Sequence, residues 1–164
     1  MGQYDPNILA RRILDKMWQG RGIPVDPVTI SRRFGLQVKQ TSLPPEVSGA
    51  IIKKRGEDPV ILIEEADSDN RKRFTCAHEL GHFIDRSERG EENFEFVDLR
   101  DASSSSGTNA DEVFANQFAA ALLMPEELVR QQWAENKVVP FLAVAFGVSA
   151  DAMTFRLKNL GLVR

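Results

Sequence analysis

The spacing of apolar residues predicts that the chain begins with helices. Leu9, Ile13 and Met17 recur one helical turn apart, which predicts an amphipathic helix over about residues 6–20. The dipeptide Asp26-Pro27 has the form of an N-cap followed by a first-turn proline. It predicts a second, short helix that closes at a glycine, so N-terminal helices should cover about residues 6–35.

Shorter apolar runs follow, and they predict a small sheet. A strand is expected to begin at Leu36 and Val38. Two more are expected at Gly49–Lys53 and Pro59–Ile63, joined by a polar turn. Longer runs rich in Ala and Leu come next and predict helices. We therefore expect an α+β fold, in which helices pack on one side of a small mixed β-sheet.

Residues 87–108 differ in composition from their surroundings. They are charged at first and end in the low-complexity run Ser103–Ser106. The apolar residues Phe94, Phe96 and Val97 interrupt the polar run, as a short strand or as a docking patch. A long connection of this kind is either a mobile lid over a cleft or an ordinary loop, and the sequence leaves both open.

The C-terminal segment, residues 138–164, has the outline of a helix-turn-helix. A glycine turn at Gly147 is followed by Ser149, a good N-cap residue. A reading helix should offer several basic side chains to DNA, and here Arg156 and Lys158 are the only internal ones. Phe155, like the neighbouring Met and Leu residues, is expected to pack. We therefore expect a packing or partner-docking role, and not DNA binding.

Composition narrows the class of protein further. The chain has 164 residues, of which 42% are hydrophobic, so it can form one domain with a proper core. A net charge of -3 gives no general attraction to nucleic acid. One cysteine, no signal-peptide pattern and no apolar run of membrane-spanning length make the cytoplasm the expected location.

Both histidines of the chain fall in one motif, H-E-x-x-H. On a helix, His78 and His82 lie one turn apart on the same face, so both imidazoles can bind one metal ion. Glu79 lies between them and can act as the general base on a water molecule. The flanking residues are mostly apolar or small, which indicates that this helix is buried. A buried motif of this composition favours a metal site over a chance arrangement.

The third ligand must be a carboxylate or the single cysteine, because no further histidine exists. Glu112 is the best candidate, since it begins a predicted helix and has Asn116 one turn later on the same face. An amide in that position can orient a neighbouring histidine ligand. Glu112 could instead be an ordinary first-turn acid, and Asp111 is its nearest competitor as a ligand. Cys76 could bind metal in principle, but it points away from His78 and is better explained as a core residue.

The two segments Arg73–His82 and Glu112–Pro125 together resemble the ImmA/IrrE family of bacterial metallopeptidases. The resemblance covers about residues 45–127, and the C-terminal tail also looks like that of the family. It implies a compact zincin-like fold, with His78, His82 and Glu112 as metal ligands and Glu79 as general base.

The resemblance also implies a substrate and a metal. Members of the family are similar to regulators that cleave XRE-type helix-turn-helix repressors or antitoxins in stress, mobile-element or toxin–antitoxin settings. Two imidazoles and one carboxylate favour Zn²⁺, although Mn²⁺ or Fe²⁺ could fit. A protein substrate could add as a strand at a sheet edge, for which Pro59–Ile63 is the candidate. The alternative is a non-hydrolytic metal-bound interaction module, or a toxin partner of a helix-turn-helix protein.

Overall fold

Helices and a four-stranded sheet make up the computed structural model, which describes residues 4–99 and 110–164. The predicted α+β class is confirmed. In chain order the described elements are α1 (Pro6–Ile13), a π-helical segment (Leu14–Trp18), α2 (Pro27–Arg33), β1 (Gln37–Thr41), β2 (Val47–Lys53), β3 (Val60–Glu64), α3 (Asp69–Glu88), β4 (Phe94–Leu99), α4 (Ala110–Leu123), α5 (Glu126–Glu135), α6 (Val139–Phe146) and α7 (Ala150–Asn159).

The first predicted helix is present, but its second half is wound more widely than an α-helix. The Asp5 side chain caps α1 by accepting hydrogen bonds from the first-turn backbone amides. After Ile13 the chain makes a π turn, in which the Gln19 amide donates to the Leu14 carbonyl over 2.9 Å. The apolar side chains at 14, 17 and 18 reach the core from this turn. They would lie on that side in a regular helix too, so the sequence pattern could not distinguish the two forms.

The strands are ordered β1-β3-β2-β4, with β1 parallel to β3 and the other pairs antiparallel. The prediction that Pro59–Ile63 forms a sheet edge is therefore wrong, because β3 is hydrogen-bonded on both sides. The edges among the described strands are β1 and β4. Both edge pairings join strands that are distant in sequence, and a local pattern of apolar residues carries no information about such pairs.

The interrupted apolar run at 94–97 forms the edge strand β4, which confirms the strand interpretation. It follows α3 and pairs with β2 in the register Phe96 to Ile51. Residues 100–109, which include the Ser-rich run of the predicted lid, lie outside the described part of the chain.

Helix α3 packs across one face of the sheet. Gly49 and Ile51 of β2 lie on that face together with Ile61 and Ile63 of β3, because paired residues of neighbouring strands share a face. A Cβ atom at Gly49 would lie 2.3 Å from the Thr75 Cγ2 atom of α3. Glycine at this position therefore allows β2 to approach the helix closely.

The C-terminal segment forms the predicted helix pair, whose axes are bent by 103°. Gly147 ends α6 in a left-handed conformation, and the Ser149 hydroxyl accepts a hydrogen bond from the Ala152 amide at the start of α7. The expectation that Phe155 packs is wrong, since its side chain is 67% exposed. Its position on α7 faces away from the stripe formed by buried Met153 and Leu157, which a run of mixed apolar residues does not reveal.

No single helix in the described part of the chain is long and apolar enough to cross a membrane. The bent pair α6 and α7 meets that test only when the two helices are counted together, and by length and composition alone.

Candidate metal centre

The H-E-x-x-H motif lies in the buried middle of α3. Ser68 caps the helix by accepting a hydrogen bond from the Arg71 amide, so the first turn is fixed two turns before the motif. His78, Glu79 and His82 are all buried, and Glu79 has no exposed surface. Three ionisable side chains buried on adjacent turns of one helix are costly unless they bind something.

Helix α4 brings Glu112 to these histidines. Its Oε2 atom lies 3.2 Å from His78 Nε2, its Oε1 atom lies 3.0 Å from His82 Nε2, and the two Nε2 atoms are 3.2 Å apart. Ligand atoms of a tetrahedral zinc ion, at the usual bond lengths, are separated by about 3.3 Å. The donor set and its spacing therefore fit a metal of that size with three protein ligands.

The close packing of α3 on α4 depends on Gly81. A Cβ atom there would lie 3.1 Å from Phe118 Cδ1 and 3.2 Å from the Cα atom of Ala115. Both distances are shorter than ordinary van der Waals contact, so a larger residue would push α4 away. Glycine within the motif thus positions a ligand on another helix.

Electrostatics favour the ionisation states that a metal requires. Hydrogen bonds from His78 and His82 hold the pKa of Glu112 far below its usual range. Burial lowers the pKa of His82, so its neutral form is favoured. An ionised carboxylate and a neutral imidazole are the forms that coordinate a divalent cation.

Asn116 lies one turn after Glu112 on α4 and contacts His78. Its Oδ1 atom is 2.9 Å from His78 Nδ1 and accepts a hydrogen bond when that nitrogen carries the proton. In this tautomer the lone pair of His78 Nε2 points toward Glu112 and His82. The other end of the site is bounded by β2, where a Cβ atom at Gly49 would be 3.6 Å from Glu79 Oε1.

Phe96 and Arg86 also belong to the site, and sequence reasoning did not find them. The Phe96 ring of β4 stacks on the His82 imidazole, with centroids 4.2 Å apart and planes 5° from parallel. The Arg86 guanidinium lies over the Phe96 ring, with its Cζ atom 4.9 Å from the ring centroid. The sequence signal for this contact was a phenylalanine in the first strand after the motif. The sequence does not show which strand that strand pairs with, so the contact could not be predicted.

The competing ligands lie elsewhere. Asp111 pairs with Arg86 and Arg89, next to Glu112 in sequence but outside the ligand cluster. Cys76 is fully buried, with its Sγ atom 3.7 Å from Ser31 Oγ. Burial raises the pKa of this thiol to about 12. Among the described residues, His78, His82 and Glu112 form the group that could hold a metal ion.

The sequence profile of the Peptidase M78 family, described as the IrrE N-terminal-like domain, matches residues 31–158. The chain belongs to this family. The match includes α3, α4 and the sheet. It extends on both sides of residues 45–127, the range expected from the sequence motifs. Membership in a peptidase family agrees with a metal centre of two histidines and a glutamate. No curated protein matches the chain significantly.

Among solved structures, this M78-family chain is similar in fold to a Mycobacterium tuberculosis transcriptional regulator. The TM-score is 0.64 and the sequence identity is 19%. The superposition covers 94% of this chain but 46% of the regulator, so the chain spans about half the length of that protein. At this identity the likeness concerns the fold alone.

Proposed function

We propose that this chain is a zinc-dependent endopeptidase with a zincin-like fold. The observation that carries the proposal is the buried Glu79 carboxylate on the same helix as His78 and His82, with Glu112 closing the ligand set. A metal that only stabilises the fold has no use for a buried general base beside its ligands. Zn²⁺ suits two imidazoles and one carboxylate better than softer or harder ions, although Mn²⁺ or Fe²⁺ could occupy such a set.

His78, His82 and Glu112 would hold the ion, which when bound polarises a peptide carbonyl and lowers the pKa of a water molecule. Glu79 accepts the proton of the attacking water and delivers it to the leaving amine. Asn116 keeps His78 in the tautomer that presents Nε2 to the site. Phe96 covers one face of His82 and restricts rotation of that ring.

The edge strand β4 is the proposed site for the peptide substrate. It pairs with β2 on one side only within the described sheet, and it carries Phe96 against His82. An extended peptide that adds to β4 as a further strand would therefore run past the ligand cluster. Main-chain hydrogen bonds would supply affinity, and side-chain pockets along the strand would supply selectivity.

The proposed substrate is a regulatory protein, specifically an XRE-type helix-turn-helix repressor or antitoxin, in the cytoplasm. This assignment rests on family membership, and it suits a stress, mobile-element or toxin–antitoxin setting. The structural neighbour is a transcriptional regulator, which is compatible with this assignment. We take residues 1–164 as one peptidase domain, with the helices at both ends as parts of it.

Metal analysis tests the ligand assignment. We expect wild-type protein to bind about one zinc ion per chain, and Glu112→Gln to bind it much more weakly because the ligand charge is lost. Asp111→Asn and Cys76→Ala are matched controls, and both should keep their zinc. Full occupancy in Glu112→Gln, together with loss in either control, would show that the ligands are misassigned.

Co-expression with a helix-turn-helix repressor encoded beside the chain tests the chemistry. Glu79→Gln keeps the shape of the side chain but cannot accept a proton, so cleavage should fall at least ~10²-fold while zinc is retained. Equal cleavage by both proteins would refute the role of Glu79. A stable complex without cleavage by either protein would instead support a non-hydrolytic interaction module.

A further inference from the structure

A cavity lies at the opposite end of α4 from Glu112. Its volume is about 620 Å³, and its walls come from α1, the π-helical segment, the end of α4, the first turn of α5 and α7. None of the lining residues belongs to the metal centre. Ala121 of α4 lines the cavity, and the nine residues from Glu112 to Ala121 correspond to about 13 Å of α-helix. The volume is in the range of small-molecule sites.

One wall of this cavity is apolar and held in place. It is formed by Ile8, Leu14, Trp18 and Leu128. The Trp18 indole donates a hydrogen bond to the Gly22 carbonyl over 2.7 Å, which fixes the ring against the wall. Leu14 and Trp18 both belong to the π-helical segment. Such turns are rare in proteins as a whole, but they often occur at functional sites.

The lining of the cavity also contains a buried cation. Arg156 is only 7% exposed, and its Nε and Nη1 atoms donate to the Met124 carbonyl and to Asn7 Oδ1 over 3.0 and 3.4 Å. Both acceptors are neutral, and Nη2 of this cavity-lining residue forms neither of the two hydrogen bonds. Burial lowers the pKa of Arg156, and the nearby Glu126 offsets only part of that effect.

The carboxylates around the cavity are engaged with other arginines or lie in solvent. Glu127 pairs with Arg11 over 2.9 Å, and Glu126 pairs with Arg130 over 2.8 Å. Asp15 is on the exposed rim. Within the described part of the chain, no ion pair involves Arg156. Glu126 stabilises the charge of Arg156 electrostatically, but no carboxylate of the described residues lies at ion-pair distance, so a carboxylate or phosphate of a ligand would form the first direct ion pair of this buried guanidinium.

The first turn of α5 also borders the cavity. Pro125 precedes it and provides no side-chain cap, so the backbone amides at the start of this ten-residue helix are not capped by a side chain. Residues 125–128 line the cavity, so the positive end of the helix dipole lies at its wall, where the first-turn carboxylates Glu126 and Glu127 offset part of it.

We propose that this cavity binds a small amphipathic anion, with a carboxylate or phosphate group at Arg156 and an apolar body against Leu14 and Trp18. The apolar residues at 8, 14 and 18 precede the family match, whereas Arg156 lies within it, and none of the lining residues takes part in the proposed peptidase chemistry. A guanidinium binds carboxylate and phosphate groups in the same way, and probes with different head groups distinguish the two.

Tryptophan fluorescence of the full chain provides the binding assay. Trp18 lines the cavity and Trp133 does not, so the Trp133→Phe protein reports the cavity alone. The probes are decanoate, decyl phosphate and decyltrimethylammonium, which share an apolar chain and differ in the head group. We expect saturable changes with both anions, at a dissociation constant below about 1 mM, and at least ~10-fold weaker binding of the cation. The tighter of the two anions identifies the preferred head group.

Two sets of variants test the charge recognition. Arg156→Gln should abolish anion preference, with thermal unfolding as the check on its fold. Ile8 lines the cavity and is largely exposed, so Ile8→Glu and Ile8→Gln should both fold. The two differ in charge alone, and Ile8→Glu should bind decanoate about 10-fold more weakly than Ile8→Gln. Equal binding of the anions and the cation, equal affinity of the Ile8 pair, or no saturable signal would each overturn the proposal. None of these measurements requires zinc or peptide cleavage.

Discussion

Removal of the Asn116 side chain should weaken zinc binding without unfolding the protein. Asn116→Ala deletes the acceptor 2.9 Å from His78 Nδ1, so the imidazole loses the partner that sets its tautomer. Loss of such a partner typically costs 10- to 100-fold in metal affinity, or about 1.4 to 2.8 kcal/mol. Asn116 is exposed, so water can replace part of the interaction. We therefore expect the lower end, about 10-fold.

The effect should be specific to the metal. An exposed Asn→Ala change in a helix alters the free energy of unfolding by less than about 0.5 kcal/mol, so thermal unfolding of the metal-free proteins should coincide. Zinc affinity is measured by competition with a chromophoric chelator on untagged protein. Asn116→Asp restores an acceptor and should bind zinc at least as tightly as wild type. Gln117→Ala, the next residue on α4 and also exposed, is the matched control. An Asn116→Ala affinity within twofold of wild type, or an equal loss in Gln117→Ala, would refute the reasoning.

Three further predictions concern the surroundings of the site. Gly49→Ala should destabilise the fold by about 1–3 kcal/mol in denaturant unfolding, because its Cβ would lie 2.3 Å from Thr75 Cγ2, and Thr75→Ser should relieve part of the loss. Cys76, with a pKa of about 12, should be alkylated at pH 8 only as fast as the protein unfolds, and alkylation of native protein within minutes would contradict this. Arg86→Met should lower zinc affinity, because it removes the ion pair with Asp111 that holds the first turn of α4, whereas Arg130→Met should not.

The sequence predicted those features of the site that depend on the geometry of a single helix. His78 and His82 share a face because they are four residues apart, and Glu112 and Asn116 share a face for the same reason. The composition also favoured Glu112 as the third metal ligand, because the chain has no third histidine. The local period of an α-helix is fixed, so these inferences needed no knowledge of the tertiary structure.

The wall of the site required knowledge of which strands pair. Phe96 reaches His82 only because β4 pairs with β2, a contact between segments separated by the whole of α3. The same limitation produced the wrong edge at Pro59–Ile63, since the parallel pairing of β1 on β3 covers it. Apolar alternation predicts that a strand exists, but not its neighbours.

The close contacts between secondary-structure elements also could not be predicted from the sequence. Gly49 and Gly81 are glycines within a strand and a helix, where glycine lowers the intrinsic propensity. Their role becomes clear only when Thr75 and Ala115 are seen against them. A glycine within a strand or helix can indicate that another element approaches closely there, but only the tertiary structure shows which atoms it contacts.

The contact of α3 with α4 at Gly81 has a consequence for how zinc supply would control the protein. Backbone and core atoms of α4, including Ala115 and Phe118, pack against α3 close to Glu112, so we expect the chain to fold without the ion. Small zinc domains, by contrast, unfold when a chelator removes their metal. We expect this chain to survive chelation and to recover its zinc on dilution. In a zinc-poor cell it would then accumulate as a folded reserve, and activity would return as fast as zinc binds, without new protein synthesis.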